Sequence, residues 1–117
     1  MPHHVVDIWW SDLRVMDRGL LPLLDPVEAA RAAGLEGAAD LGRFVVGAVL
    51  LRVAVGRTTG RDPWSVAVDR TCDDCGRPHG RPAVEGVHVS VAHAGPLVLV
   101  ATAAGPVGVD VESARRG

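Results

Sequence analysis

Two carboxylic acids lie two positions apart near the end of the sequence, Asp110 and Glu112. Val109 and Val111 alternate with them, which is typical of a β-strand, where side chains two apart share one face. Two neighbouring carboxylates repel each other unless a cation lies between them, and Mg²⁺ prefers such oxygen ligands. The pair therefore predicts a Mg²⁺ site, with a solvated strand end as the alternative.

Two groups suited to anion binding precede this pair: a Gly80-Arg81-Pro82 turn and a lone histidine, His93, after an apolar strand. All 12 residues counted as Lys or Arg are arginines. An arginine fork contacts two phosphate oxygens at once and keeps its charge at working pH. Phosphate binding in this chain therefore falls to arginine, histidine or backbone amides.

A Cys72-x-x-Cys75 pair followed by His79 has the form of half a zinc site. A structural zinc site needs four ligands, and the fourth is not evident; His88 or a carboxylate would have to fold back. A redox pair is a second possibility, although no thioredoxin-like βαβ pattern surrounds it. The third is a tight turn that positions Arg81.

The stretch from Gly80 to Glu112 resembles the Sfp-type 4′-phosphopantetheinyl transferases. Their signatures are a G-K-P turn, then F-[NS]-[IL]-S-H-[ST], then G-[IV]-D-[IV]-E. Here they read G-R-P at residues 80–82, V-S-V-A-H-A at residues 89–94 and G-V-D-V-E at residues 108–112. Some bacterial members also carry C-x-x-C-G-x-P-H-G-[KR]-P before the first signature, as this chain does from Cys72.

The resemblance implies transfer of the 4′-phosphopantetheine arm of coenzyme A to a serine of an acyl or peptidyl carrier protein. Such carrier proteins serve polyketide, nonribosomal peptide or fatty acid biosynthesis. The implied catalytic residues are His93, Asp110 and Glu112, and the last two would hold Mg²⁺. The implied coenzyme A-binding residues are Arg31, Arg43, Gly80, Arg81, Pro82, Ala92 and His93. A solvated helix arginine is the alternative for Arg31, and Arg52 is expected to be a structural ion-pair partner.

The sequence departs from the family pattern in three ways. Arg81 stands where the family usually has lysine, and Ala92 stands where it has serine, so a hydroxyl is lost. The family's second half, with its W-x-x-K-E-[AS]-x-x-K helix, is absent from this sequence. We therefore expect residues 1–117 to form a single domain resembling the N-terminal subdomain, with an apolar face for a second half-domain chain or another copy.

Two other functions remain open from the sequence. One is a binding module that holds coenzyme A or a carrier protein without catalysis, which the loss of the hydroxyl at Ala92 favours. The other is a small interaction domain structured by zinc at Cys72, Cys75 and His79.

Composition narrows the class of protein. The chain has 117 residues, of which 48% are hydrophobic and 22% charged, as in globular domains. A net charge of −2 argues against a nucleic-acid binder that relies on basicity. We find no apolar run of membrane-spanning length and no signal-peptide pattern at the start, so we expect no membrane partner and a cytoplasmic protein.

The elements that must position these residues form an α+β pattern of helices on a small antiparallel sheet. A first strand is predicted over Val5–Trp10, with Trp9 and Trp10 filling the core. Asp25-Pro26-Val27-Glu28 predicts the start of a helix that ends at Gly34, and Asp40–Gly56 predicts a buried helix. A short strand is predicted over Ser65–Val68. The predicted strands of a C-terminal meander are Val87–Val91, Leu97–Ala104 and Val107–Glu112.

Overall fold

A computed structural model describes residues 6–78 and 80–103 and contains helices packed on one antiparallel sheet. The strands are β1 (Val6–Asp12), β2 (His88–Ala94) and β3 (Leu97–Ala103), and the α-helices are α1 (Pro26–Ala33) and α2 (Ala38–Thr59). Single turns of 3-10 helix occupy Leu13–Val15 and Pro63–Ser65, and a longer 3-10 segment occupies Arg18–Leu23. The α+β class predicted from the sequence is confirmed.

The sheet has the strand order β1-β3-β2, with both neighbours antiparallel to β3. Val100 at the centre of β3 pairs with Trp9 on one side and Val91 on the other. The expected meander placed β3 between β2 and the predicted strand Val107–Glu112. In the structure β1 lies at that edge of β3 instead, so the predicted pairing was wrong. The predicted strand Val107–Glu112 itself lies outside the described residues.

Helix α1 begins where the sequence predicted, at a capping box. The Asp25 carboxylate accepts a hydrogen bond from the Glu28 backbone N–H at 2.7 Å, and the Glu28 carboxylate accepts one from the Asp25 N–H at 3.0 Å. Pro26 occupies the first turn, where its missing N–H costs nothing, and Gly34 caps the C-terminus.

Helix α2 is longer than predicted, and two glycines allow close packing, Gly47 against the sheet and Gly56 against the Pro63–Ser65 turn. A Cβ added at Gly47 would lie 3.4 Å from Val98 Cγ1, and one at Gly56 would lie 2.7 Å from Pro63 Cγ. The helix ends at Gly60, whose φ of 77° is the left-handed conformation that glycine adopts freely. No helix of the described residues is both long and apolar enough to cross a membrane.

The core lies between α2 and the inner face of the sheet. Its buried members are Leu51, Ala54, Val55, Val66, Val84, Val87 and Val100. Trp9 packs against this cluster and donates its indole N–H to the Thr102 hydroxyl at 3.1 Å. That hydroxyl also lies 2.8 Å from the Thr58 hydroxyl, so one buried polar group links β1, β3 and α2.

The opposite face of the sheet is apolar and partly exposed. We call it the outer sheet face, and its central members are Ile8, Trp10, Ala92 and Leu99. Trp10 is 67% exposed and Ile8 is 50% exposed. The prediction that both tryptophans fill the core was therefore wrong for Trp10, because neighbouring residues of a strand point to opposite faces.

The segment between α2 and β2 contains little regular structure. The strand predicted over Ser65–Val68 does not form; Ser65 ends a 3-10 turn instead. Asp69 and Ala83 form an isolated antiparallel bridge, with N–H to O distances of 2.8 Å in both directions. This bridge closes the loop that contains Cys72 and Cys75.

A buried ion cluster joins this segment to both α-helices. Glu28 is fully buried, and its two carboxylate oxygens lie 2.9 Å from Arg52 Nη2 and 2.9 Å from Arg70 Nη2. Arg52 also pairs with Asp25 at 2.9 Å. The predicted structural ion pair of Arg52 is confirmed.

Replacing Glu28 by alanine should strongly destabilise the fold, because two buried guanidinium groups lose their shared carboxylate. We expect the free energy of unfolding to fall by about 3–5 kcal/mol, measured by urea denaturation. Glu36→Ala, at an exposed position after α1, should change it by less than about 0.5 kcal/mol. Equal effects of the two substitutions would show that the buried cluster does not hold these elements together.

Candidate anion-binding pocket

A pocket of about 640 Å³ lies between the two α-helices, the end of β2 and the turn that follows the cysteine loop. Its lining includes six of the residues predicted to bind coenzyme A: Arg31, Arg43, Gly80, Arg81, Pro82 and His93. These residues come from four separate stretches of the sequence. The fold therefore brings most of the predicted ligand-binding residues around one cavity.

Each lining residue is positioned by a different element. Arg31 lies in the last turn of α1, and Arg43 lies in the second turn of α2. The sequence placed His93 after a strand, whereas the structure places it inside β2, opposite Val98. His93 therefore shares the inner face of the sheet with Val91 and Val98 and lies beside α2.

The turn that presents Arg81 rests on the backbone of the cysteine loop. The Gly80 N–H donates to the Arg70 carbonyl at 2.7 Å. A Cβ at Gly80 would lie 2.6 Å from the Thr71 carbonyl oxygen and 2.8 Å from Cys72 Cα. Only glycine fits this approach, because backbone atoms cannot move aside as a flexible side chain can.

The pocket is strongly basic. Its lining contains the guanidinium groups of Arg31, Arg43, Arg70 and Arg81, and Asp40 is the one acid in that lining. Asp40 Oδ1 lies 3.3 Å from Arg43 Nη1. The surplus of positive charge favours an anionic ligand, and phosphate is the anion whose geometry matches an arginine fork.

His93 has a pKa below the ordinary value of 6.5, chiefly because partial shielding from water in the pocket disfavours the charged imidazolium and secondly because Arg43 repels it. His93 is consequently neutral near pH 7. A neutral imidazole retains one N–H donor and one acceptor nitrogen. It can therefore donate a hydrogen bond to a phosphate oxygen without adding another charge to the pocket.

Sequence reasoning missed two members of the pocket, Phe44 and Arg70. The guanidinium carbon of Arg31 lies 4.9 Å from the centre of the Phe44 ring, and that of Arg70 lies 5.4 Å from it. Both cations thus lie within cation–π range of one ring. Phe44 lies within the predicted buried helix Asp40–Gly56 and no motif distinguishes Arg70, so only tertiary structure reveals this arrangement.

Ala92 does not line the pocket. It faces the outer sheet face with Leu99 and Trp10, because it alternates with His93 along β2. The predicted contact of the Ala92 side chain with coenzyme A is therefore not supported by its position. A serine at the same position would project to the same side.

The cysteine loop has the backbone contacts of a tight turn. The N–H groups of Asp74 and Cys75 hydrogen-bond to the Cys72 thiol and lower its pKa. Neither cysteine forms a disulfide. His79, the third predicted zinc ligand, lies outside the described residues, and within them no three His, Cys, Asp or Glu side chains cluster as a metal site. Zinc binding by Cys72, Cys75 and His79 stays a prediction.

The predicted magnesium ligands, Asp110 and Glu112, also lie outside the described residues. Both side chains are nevertheless suited to a hard cation, because both supply carboxylate oxygens. The Mg²⁺ site stays a prediction from the sequence.

The sequence is similar to that of a 4′-phosphopantetheinyl transferase from Bacillus subtilis, with 28% identity over 78 residues. The match covers 67% of this chain and 34% of the relative, so it spans about a third of the relative's length. No family model matches the chain.

Replacing Arg43 by glutamine should raise the pKa of His93, because one source of repulsion is removed. The imidazole ¹H resonances, followed by NMR between pH 4 and 9, should titrate below the ordinary value of 6.5 in the unchanged protein and nearer to it in Arg43→Gln. Arg57→Gln, at an exposed position late in α2, should leave the midpoint unchanged.

The lowered pKa of His93 also makes the stability of the fold depend on pH. The folded state binds a proton at His93 less readily than the unfolded chain does. The contribution of neutral His93 to the free energy of unfolding is therefore present above pH 6.5 and is lost as the pH falls below 6.5. A His93 midpoint above 6.5 would contradict both statements.

Proposed function

We propose that this chain takes part in transferring the 4′-phosphopantetheine arm of coenzyme A to a serine of an acyl or peptidyl carrier protein. The observation that carries the proposal is the convergence of Arg31, Arg43, Arg81 and His93 on one basic pocket. The similarity to a transferase over two thirds of this chain supports the same reaction.

In this reaction the carrier serine oxygen bonds to the β-phosphorus of coenzyme A. The bond between that phosphorus and the bridging oxygen breaks, 3′,5′-ADP leaves, and the serine proton passes to a base. The pocket residues bind and orient the phosphates. Arg43 and Arg81 offset their negative charge, and neutral His93 donates a hydrogen bond to a phosphate oxygen.

Asp110 and Glu112 would hold Mg²⁺ beside these phosphates. When bound, the ion offsets the charge of the pyrophosphate. The support for this ion is the spacing of the two carboxylates in the sequence, because paired carboxylate oxygens are the ligands that Mg²⁺ prefers.

We further propose that this chain supplies one half of the complete site and that a second half-domain covers the outer sheet face. Two observations support this partner. The match spans about a third of the transferase. The outer sheet face presents Trp10 and Ile8 to solvent, and an aromatic side chain exposed on an apolar face is typical of an interface.

A binding module without catalysis is the second candidate. The sequence favoured it through Ala92, but the Ala92 side chain lies on the outer sheet face, so its missing hydroxyl does not distinguish binding from transfer. Such a module would bind coenzyme A or a carrier protein in the same pocket region without turnover.

The decisive experiment is intact-mass analysis of an apo carrier protein incubated with coenzyme A, Mg²⁺ and the purified chain, with and without a separately expressed second half-domain of a transferase. We expect a phosphopantetheine mass increase that Asp110→Ala abolishes and His93→Ala strongly reduces. Arg57→Gln is the matched control and should retain activity. Binding of coenzyme A with no mass increase under either condition would replace transfer by the binding-module function.

Trp10→Glu should prevent association through the outer sheet face, because a carboxylate would be buried there without a partner. Sedimentation velocity should give a complex of the unchanged chain with the second half-domain and unassociated components for Trp10→Glu. Trp64→Glu, at a tryptophan that is 49% exposed in the Pro63–Ser65 turn, should associate normally. Loss of the complex with both variants would contradict the proposal that the outer sheet face is the interface.

A further inference from the structure

The cysteine loop carries two thiols that the proposed transfer does not use. The chain contains two cysteines in all, Cys72 and Cys75. Cys75 is exposed and Cys72 is partly exposed, so small molecules in solution have access to both thiols. Because these two residues are the whole cysteine content of the chain, a disulfide within one chain has one possible pairing.

A single turn of the backbone places the two thiols side by side. The Gly76 N–H donates to the Cys72 carbonyl at 2.9 Å, which closes a turn over residues 72–76. Residues three positions apart in a helix-like turn are neighbours. The Cys75 thiol donates a hydrogen bond to the Cys72 sulfur, so each sulfur atom lies within reach of the other. This is the arrangement from which a disulfide forms.

Backbone donors favour the thiolate form of Cys72. The N–H groups of Asp74 and Cys75 both hydrogen-bond to its sulfur, and N–H donors stabilise a negative charge on the atom they face. The Asp73 carboxylate and the partial burial of the sulfur act in the opposite direction and are outweighed. The thiolate is the nucleophile in thiol–disulfide exchange. Cys72 is therefore suited to attack first, and Cys75 to complete the reaction.

The backbone of Cys72 also packs directly against the turn that presents Arg81. A Cβ on Gly80 would lie 2.8 Å from Cys72 Cα and 2.9 Å from Cys72 N, so no gap separates the two backbones. Neighbouring Cβ atoms in a helix-like turn are about 5–6 Å apart, whereas a disulfide brings its two Cβ atoms to about 3.8 Å. Closure of a disulfide must therefore draw Cys72 and Cys75 together, and the contact with Gly80 transmits this movement.

We propose that Cys72 and Cys75 form a reversible redox pair that a small-molecule disulfide closes, and that closure displaces the Gly80-Arg81-Pro82 turn at the pocket. The Cys72 thiolate attacks one sulfur of the small disulfide, whose S–S bond breaks and releases one thiol. The Cys75 thiol then gives up its proton and attacks the Cys72 sulfur, which releases the second thiol. Overall, two protein thiols are oxidised to a disulfide, and the small disulfide is reduced to two thiols. The inference goes beyond the proposed transfer and does not depend on it.

The first measurement is the redox equilibrium of the whole chain in mixtures of reduced and oxidised glutathione. Remaining thiols are blocked with iodoacetamide and counted by intact-mass analysis. We expect both thiols to be blocked in reduced glutathione, neither to be blocked as oxidised glutathione rises, and both to return after treatment with dithiothreitol. Two thiols that persist in excess oxidised glutathione would overturn the proposal, as would a disulfide between two chains in place of the internal one.

Single variants identify the attacking sulfur. Cys75→Ser keeps Cys72 and should form a mixed disulfide with glutathione about tenfold faster than Cys72→Ser, which keeps the other thiol. Equal rates, or a faster reaction of Cys72→Ser, would contradict the role of the backbone donors. If either variant fails to fold, peptide mapping of the unchanged chain after brief treatment with iodoacetamide shows which cysteine reacts first.

The zinc content of the freshly purified, reduced chain separates redox chemistry from metal binding. We expect the reaction with oxidised glutathione to proceed at the same rate with and without a chelator. Stoichiometric zinc that protects both thiols until the chelator is added would assign the cysteine loop to metal binding and overturn the proposal.

Backbone ¹H–¹⁵N NMR signals test the link between the thiols and the pocket. We expect the signals of Gly80 and Arg81 to shift between the reduced and the oxidised chain, while the signal of Gly60, at the end of α2, stays in place. A double variant with Cys72→Ala and Cys75→Ala, treated with the same oxidant, should show no shift. A closed disulfide with unmoved Gly80 and Arg81 signals would contradict displacement of the turn.

These measurements separate the inference from the proposed function. Disulfide closure supports the redox pair even when no carrier protein is modified, in which case transfer alone fails. Transfer by a chain whose thiols do not close contradicts the inference and leaves the proposed reaction in place.

Discussion

A single buried carboxylate holds the polar half of this fold together. Glu28 caps its own helix, forms an ion pair with Arg52 on α2 and accepts a hydrogen bond from Arg70 on the segment after it. Because the carboxylate is shielded from water, each of these contacts is stronger than a surface ion pair, and the loss of one partner leaves an uncompensated charge. The relative positions of α1, α2 and the cysteine loop are therefore fixed by the same group.

The pocket is a consequence of that arrangement. Fixing α1 against α2 places Arg31 near Phe44, and fixing Arg70 places the loop whose end carries Gly80 and Arg81. The sheet contributes His93 from the opposite direction, since β2 presents alternate residues to α2. A basic cavity between these elements is thus built from side chains that lie far apart in the sequence.

Whether the sequence alone predicts an element depends on how far apart along the chain the interacting residues lie. The capping box at Asp25 and the apolar periodicity of α2 are local, and both predictions held. The pairing of β3 with β1 joins opposite ends of the described chain, and no local pattern encodes it. Ser65–Val68 alternates as a strand does but pairs with no strand among the described residues. The motif arginines were identified by resemblance, whereas Arg70 and Phe44 acquire their positions only through tertiary contacts.

The basic residues of the lining that carry a permanent charge are all arginines, which determines how the charge of the pocket responds to pH. An arginine does not lose its proton in proteins, so four of the cationic groups around the cavity present a constant charge across the physiological range. Among the lining residues that the structure describes, His93 is the one whose charge changes near neutral pH. Acidification through its lowered pKa therefore adds a positive charge at the end of the pocket that β2 forms.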